Sequence, residues 1–254
     1  MISNKDWQKA TLLKRTMAAD NVMSLIFSIP EWLPFQPGQH YDIRLTSADG
    51  YMAERSYSIG SAPEQIGTME FGVQLLPDGE VSPYLNALPE GRQVEMRGPI
   101  GGHFIWNVDM PGPLVLIAGG SGMVPLMSML RHHINNLEKN IATGGAGDLG
   151  REIIFLISAR TFDHILWQKE LEEIAKKDPN IKIVITLTDS QPEGWTGYKR
   201  RIDKEILTAV LGNVQEKMPM TYICGPTPFV EAISRTMLTL GFTPHSIKTE
   251  RFGG

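Results

Sequence analysis

The sequence predicts two domains. An N-terminal antiparallel six-stranded β-barrel spans 1–108, and a C-terminal α/β doubly wound parallel sheet spans 109–254. Three observations carry this reading. From Ala10 to about Phe104 the apolar residues come in short runs broken by Gly, Pro, Asn and Asp, the texture of a small antiparallel barrel. A breaker cluster, Met110-Pro111-Gly112-Pro113, ends that texture. Beyond it, continuous apolar runs alternate with helical periodicity, as parallel strands and covering helices require.

In chain order, TLLKRTMAADNVMSLIFSIP (11–30) reads as two strands around an Ala-Asp-Asn turn. GQHYDIRLTSADGY (38–51) places a third strand before an Asp-Gly turn, and RSYSIGS, MEFGVQLL and RQVEMRG supply three more. VSPYLNAL (81–88) is the one short helix expected among them. In the second half, LVLIA (114–118), IIFLIS (153–158), IKIVITL (181–187) and TYIC (221–224) are the buried parallel strands. Three helical faces fall between or after them: Trp167, Leu171 and Ile174; Ile202, Ile206 and Val210; and Val230, Ile233, Met237 and Leu240. SIKTE near the C-terminus forms one more edge strand, and GGAGDLG (144–150) is a surface loop with no helix pattern after it.

Composition narrows the function classes. The 254 residues carry 24 Lys and Arg against 28 Asp and Glu, and a net charge of -4 argues against nonspecific nucleic-acid binding. The single cysteine, Cys224, excludes a disulfide framework and any cysteine-ligated iron–sulfur centre built by this sequence alone. The first residues lack the apolar core of a signal peptide, and no stretch of about 20 residues is apolar enough for a membrane span. A cytoplasmic location is the expectation.

The strongest local signal is LVLIAGGSGMVPLMSML (114–130), where a buried strand meets Gly119, Gly120, Ser121 and Gly122 and then a Pro-started helix. Glycines let a backbone approach a pyrophosphate, and a helix start offers free N–H groups to anionic oxygens. The spacing is not G-x-G-x-x-G, so a tight strand–helix junction is the competing reading. Arg55-Ser56-Tyr57-Ser58 combines a phosphate partner, a stacking ring and a hydroxyl donor, although Arg55 and Tyr57 share a face as alternate residues do on any strand. Gly79-Glu80-Val81-Ser82 is either a second phosphate cradle or a helix start capped by Ser82. His132 and His133 are adjacent on a helix, point in different directions and read as surface or packing residues. His103 caps the barrel or closes its last motif.

Together these pieces resemble the ferredoxin–NADP reductase superfamily over nearly the full length. RSYSIGSAP (55–63) is similar to its R-x-Y-S flavin motif, and DGEVSPYL (78–85) to the segment closing over the flavin phosphate. GPIGGHF (98–104) resembles the G-P-x-G-x-F end of the flavin domain. AGGSGMVP (118–125) and CGPTPFV (224–230) resemble the two nicotinamide-domain motifs. The five occur in family order, without the cysteine set of an attached iron–sulfur domain.

The resemblance implies a function and residue roles. Arg55 would pair with the flavin phosphate, Tyr57 would lie on the isoalloxazine, and Ser58 would bond near its reactive edge. Val73 and Gln74 would give backbone contacts, and Gly79, Val81 and Ser82 would complete the phosphate cradle. Gly119, Gly120, Ser121, Gly122, Met123, Val124 and Pro125 would approach the dinucleotide. Arg160 and Thr161 would meet its adenosine end. Cys224, Gly225 and Pro226 would border the nicotinamide, with Cys224 as a packing neighbour, not a nucleophile. Glu250 and Phe252 would lie near the C-terminal edge of the flavin site, the competing reading being a solvated tail. Tyr57, Ser58 and Cys224 are thus the residues nearest the chemistry. No metal site is expected. The flavin is FAD in preference to FMN, and the hydride donor is NADH or NADPH. Arg160, Lys199, Arg200 and Arg201 are available to a 2′-phosphate, yet the reading leans toward NADH. The expected enzyme is an NAD(P)H oxidoreductase feeding a separate redox protein such as a ferredoxin or oxygenase component. A free-flavin reductase and a non-enzymatic, nucleotide-responsive relay subunit are the alternatives.

Overall fold

The computed structural model describes residues 4–144 and 150–252, so most of the expected 144–150 loop lies outside the described residues. Six strands come first: β1 (Gln8–Ala19), β2 (Val22–Ser28), β3 (His40–Thr46), β4 (Met52–Ser58), β5 (Thr68–Gln74) and β6 (Gln93–Ile100). Helix α1 (Val81–Ala87) lies between the last two. The sheet order is β4-β3-β6-β1-β2-β5, every pairing is antiparallel, and an Ile59–Phe71 bridge brings the two outer strands together into a barrel. Period-two alternation turns Leu12, Leu25, Phe27, Tyr41, Ile43, Phe71 and Met96 inward, all fully buried. Burying each such side chain stabilises the barrel by roughly 1.5–3 kcal/mol. Asn21 makes the two-residue β1–β2 turn possible: its φ of 58° is a left-handed value that asparagine tolerates better than most residues.

The second half alternates strand and helix: β7 (Leu114–Gly119), α2 (Met123–Thr143), β8 (Ile153–Ala159), α3 (Gln168–Lys177) and β9 (Ile181–Leu187). It continues with α4 (Lys204–Leu211), β10 (Met220–Pro226), α5 (Thr227–Thr239) and β11 (Ile247–Phe252). All pairings are parallel, in the order β11-β10-β7-β8-β9. Alternate strand residues feed two cores. Leu114, Leu116, Phe155 and Ile157 pack with α2 and α3, while Val115, Ile117, Ile154 and Leu156 pack with α4 and α5. The chain leaves β7 toward β8 and returns on its other side as β10, so a crevice opens at their carboxyl ends. The α2/α3 core also takes in Ala19, Val22, Phe104 and Trp106 from the barrel half. Among the described residues no helix is long and apolar enough to cross a membrane.

Four local expectations need correction. Trp167 is not on a helical face: it precedes α3 with φ 48°, and its indole N–H donates to Glu70 in the barrel at 2.9 Å. Ile202 lies before α4, because the Asp203 carboxylate caps that helix by accepting from the Ile206 N–H at 2.9 Å. Ser82 is the second residue of α1, with Glu80 at the N-cap position, so it is no cap. Helix α2 starts at Met123, after a 3-10 turn over Gly120–Gly122, and Pro125 is its third residue.

Candidate functional site

A cavity of about 600 Å³ occupies the crevice, within the range of small-molecule sites. Gly119, Gly120 and Ser121 line it from the end of β7, Ser158 and Arg160 from the end of β8, and Pro226 and Phe229 from the end of β10. Phe252 closes it from β11, while Asn21, Val22 and Gln74 reach it from the barrel. The glycines explain why these elements come so close. A Cβ on Gly122 would stand 2.2 Å from the Cys224 carbonyl oxygen, and one on Gly225 would stand 2.7 Å from the Phe229 ring. Gly120 differs: its φ is +56° and nothing lies within 4 Å of its missing Cβ. Its bare backbone edges a cavity that can take an anionic group, the cradle a dinucleotide needs.

The structure separates the glycine segment into two parts. Gly119, Gly120 and Ser121 meet the cavity, whereas Gly122, Met123, Val124 and Pro125 are buried away from it in the packing of α2. The Ser121 hydroxyl donates to Gln74 Oε1 at 3.0 Å, a direct bond from the cavity turn to the barrel. Val73 points into the barrel core, leaving only its backbone to the outside.

The other barrel residues gather along β4 and α1. Arg55 is exposed and pairs with Glu80 at 3.4 Å, and Glu80 also accepts from the Tyr51 hydroxyl at 2.7 Å. A carboxylate therefore sits where the guanidinium can equally hold a phosphate. The Ser82 hydroxyl accepts from the Leu76 N–H at 3.0 Å, which folds Leu76–Ser82 into a compact loop with Gly79 inside it and Val81 buried below. Tyr57 is half-buried, and desolvation pushes its phenol up to about 12, so its ring stays neutral and available for stacking. Ser58, also half-buried, ends the strand.

Cys224, Glu250 and Phe252 lie together at the ends of β10 and β11, with Cys224 paired in register to Glu250. The Cys224 thiol is 2% exposed, and burial, with the Glu250 charge beside it, pushes its pKa well up. The side chain packs in the core shared with α2 and α3. Burial also pushes the Glu250 carboxyl up to about 7, and its enclosed Oε2 has no hydrogen-bond partner. An orphaned, partly protonated carboxyl beside the crevice suits a group that brings its own polar atoms.

Just beyond β8, Thr161 turns from the cavity to bond His164 Nδ1 at 2.7 Å, and Arg160 Nη2 lies 3.0 Å from His164 Nε2. Arg201 lines the cavity, whereas Arg200 is held by Asp203 and Glu205 at 2.7 Å each. Sequence reasoning missed His164, Asn21 and Phe229. Phe229 had a signal, lying inside the quoted CGPTPFV; Asn21 and His164 reach the crevice only through the tertiary fold. His132 and His133 do pack: His132 contacts Glu64 at 2.6 Å, and buried His133 contacts Asp178 at 2.8 Å.

Comparison with known proteins agrees with this fold. Residues 9–105 match the oxidoreductase FAD-binding domain family, and residues 116–235 match the oxidoreductase NAD-binding domain family. A glycine betaine monooxygenase reductase subunit from Chromohalobacter salexigens is 31% identical over 86% of this chain, which spans only 56% of that protein's length. An NADH-cytochrome b5 reductase 1 from Neosartorya fischeri is 28% identical, over 96% of this chain and 77% of its own. The cytochrome b5 reductase domain of Ulva prolifera nitrate reductase superposes with a TM-score of 0.78 at 26% identity, covering 99% of this chain and 98% of that one. A Neisseria gonorrhoeae ferredoxin NADP+ reductase shares the fold, with a TM-score of 0.76 at 19% identity. With both family domains matched in order on one barrel and one doubly wound sheet, this chain belongs to the oxidoreductases built from an FAD-binding and an NAD-binding domain, in the fold that ferredoxin NADP+ reductase shares.

Proposed function

We propose that this chain oxidises NADH or NADPH through FAD and delivers the electrons to a separate redox protein, an oxygenase component, ferredoxin or haem protein. The observation that carries the reading is the crevice itself: the open turn Gly119–Ser121 and the barrel residue Gln74 meet across one hydrogen bond, so both nucleotide-binding halves face a common space. FAD, when bound, supplies a ring that takes two electrons as hydride and releases them singly or as a pair. The protein's part is alignment and exclusion of water. Arg55 and the Leu76–Ser82 loop hold the flavin phosphate, with Arg55 exchanging Glu80 for it. The half-buried Tyr57 ring packs on the flavin, and Ser58 donates to its edge. The Gly120 backbone accepts the pyrophosphate, and Pro226 and Phe252 wall the nicotinamide. Glu250 holds its proton up to about pH 7, which keeps a buried negative charge from forming beside the crevice.

A protein acceptor is favoured because one cysteine cannot assemble a cysteine-ligated cluster within this sequence. The relatives named above as a monooxygenase reductase subunit and a cytochrome b5 reductase support the same choice. The test is an anaerobic absorbance titration of the FAD-loaded protein with NADH and then NADPH. Bleaching of the flavin band identifies the donor. Absence of flavin binding after reconstitution with FAD or FMN overturns the reading in favour of a nucleotide-responsive subunit. Rapid exchange of flavin as a released product supports a free-flavin reductase instead.

A further inference from the structure

An ion-pair cluster that neither the cavity nor the flavin loop uses joins the two halves. Arg131, two turns into α2, donates through Nη1 to the Gly60 carbonyl and to Glu70 Oε2, both at 2.7 Å. Its Nε and Nη2 donate to Glu170 Oε1 and Oε2 of α3, both at 2.6 Å, a two-pronged pair. The guanidinium also lies 4.7 Å over the Trp167 ring, whose N–H is bound to Glu70. Glu70 accepts from the Ser24 hydroxyl as well. Arg131 and Glu70 are each only 13% exposed, so every charge in the cluster depends on its partners.

The cluster grips one short segment. Gly60 and Ser61 continue β4 just beyond Ser58. The Gly60 N–H donates to the Glu70 carbonyl, and the Ser61 hydroxyl accepts from the Glu70 N–H, each at 2.8 Å. The Ser128 hydroxyl of α2 donates to the Ser61 carbonyl at 2.6 Å. Gly72 lets α2 come this near: a Cβ there would stand 2.6 Å from Val124 Cγ2. The same helix starts at Met123, just after the Gly119–Ser121 turn, and the same strand ends in Tyr57 and Ser58.

We propose that Arg131 is a positioning residue for hydride transfer. It fixes the flavin-facing end of β4 to the helix that follows the Gly119–Ser121 turn, and so sets the separation of the two rings without touching either. The inference rests on the function proposed above. Hydride transfer needs the reacting atoms within about 3–3.5 Å, and an error of about 1 Å costs roughly 10²-fold in rate. A lysine at this position keeps the charge but cannot fork to Glu170 while reaching Gly60 and Glu70.

The experiment compares wild type, Arg131→Lys and Glu170→Ala as FAD-loaded proteins in anaerobic stopped flow with the donor identified by the titration. FAD content and melting temperature are measured alongside. The expected result is retained FAD, a KM within threefold of wild type and a hydride-transfer rate per bound flavin reduced about 10- to 100-fold for Arg131→Lys. Glu170→Ala falls between, and guards against an Arg131 variant that does not fold. The long-wavelength band of stacked flavin and nicotinamide rings weakens in the same order, a change that loss of stability alone does not produce. Unchanged rate and band per bound flavin in both variants, with or without a lower melting temperature, overturn the positioning role. A wild-type protein that no nicotinamide bleaches overturns the proposed function itself, which separates the two failures.

Discussion

Replacing Glu250 by glutamine reports directly on the buried carboxyl beside the crevice. Desolvation pushes its pKa from the ordinary 4.5 up to about 7, and no hydrogen bond to Oε2 opposes that push. At 1.36 kcal/mol for each pH unit the difference is worth about 3 kcal/mol. The unfolded chain releases this proton near 4.5 and the folded chain near 7, so between those values the folded state holds the extra proton. Stability contributed at this site is therefore fully present below pH 4.5, falls by about 1.4 kcal/mol per unit through the window, and is gone above pH 7. Glu250→Gln lacks the proton and the slope. Urea unfolding of the flavin-free wild type and variant from pH 4.5 to 8 isolates the effect, since the other titrating groups largely cancel in the difference. The variant gains about 3 kcal/mol on the wild type across that range. Parallel profiles for the two proteins would refute the assignment of a desolvated, unpaired carboxyl.

Three further outcomes test other parts of the structure. Arg55→Ala weakens flavin binding about 10- to 100-fold, the worth of a charge-assisted hydrogen bond, with the fold intact because its partners are the exposed Glu80 and the carbonyl of the adjacent Glu54; fluorescence titration with FAD measures it. Gly72→Ala drives a methyl group to 2.6 Å from Val124 Cγ2 and costs about 1–3 kcal/mol, read as a lower thermal midpoint. Cys224 resists alkylation by iodoacetamide in the native protein and reacts at least about 100-fold faster in urea, because burial raises its pKa and blocks access; fast native labelling would contradict the packing described for it.

Both sheets were legible because each follows from a short-range rule. Short apolar runs broken by turn formers marked the barrel strands, and unbroken apolar runs marked β7, β8 and β9 as buried parallel strands. The same rules failed at Trp167. Its spacing from Leu171 fits a helix, but its ring is engaged by Glu70, Gly60 and Gly72, and the backbone turns to φ 48° before α3 begins. Periodicity carries no information about a partner 97 residues away.

The candidate site divides along the same line. Gly119, Gly120, Ser121 and Pro226 announced themselves through motifs, Arg160 and Phe252 only through their place in the family pattern, and all of them line the cavity. Met123, Val124 and Pro125 shared the glycine motif yet face the interior, because α2 starts at Met123 with its first turn buried, and only the 3-10 turn before it edges the crevice. The sequence alone determined the two architectures and the residues whose chemistry suits phosphates and planar rings, since backbone preference and polarity are local properties. Only the tertiary structure decided that Gln74 meets Ser121, that Glu250 is left without a partner, and that Arg131 ties three segments together. Those depend on which distant surfaces exclude water from one another, and that is fixed when the chain packs.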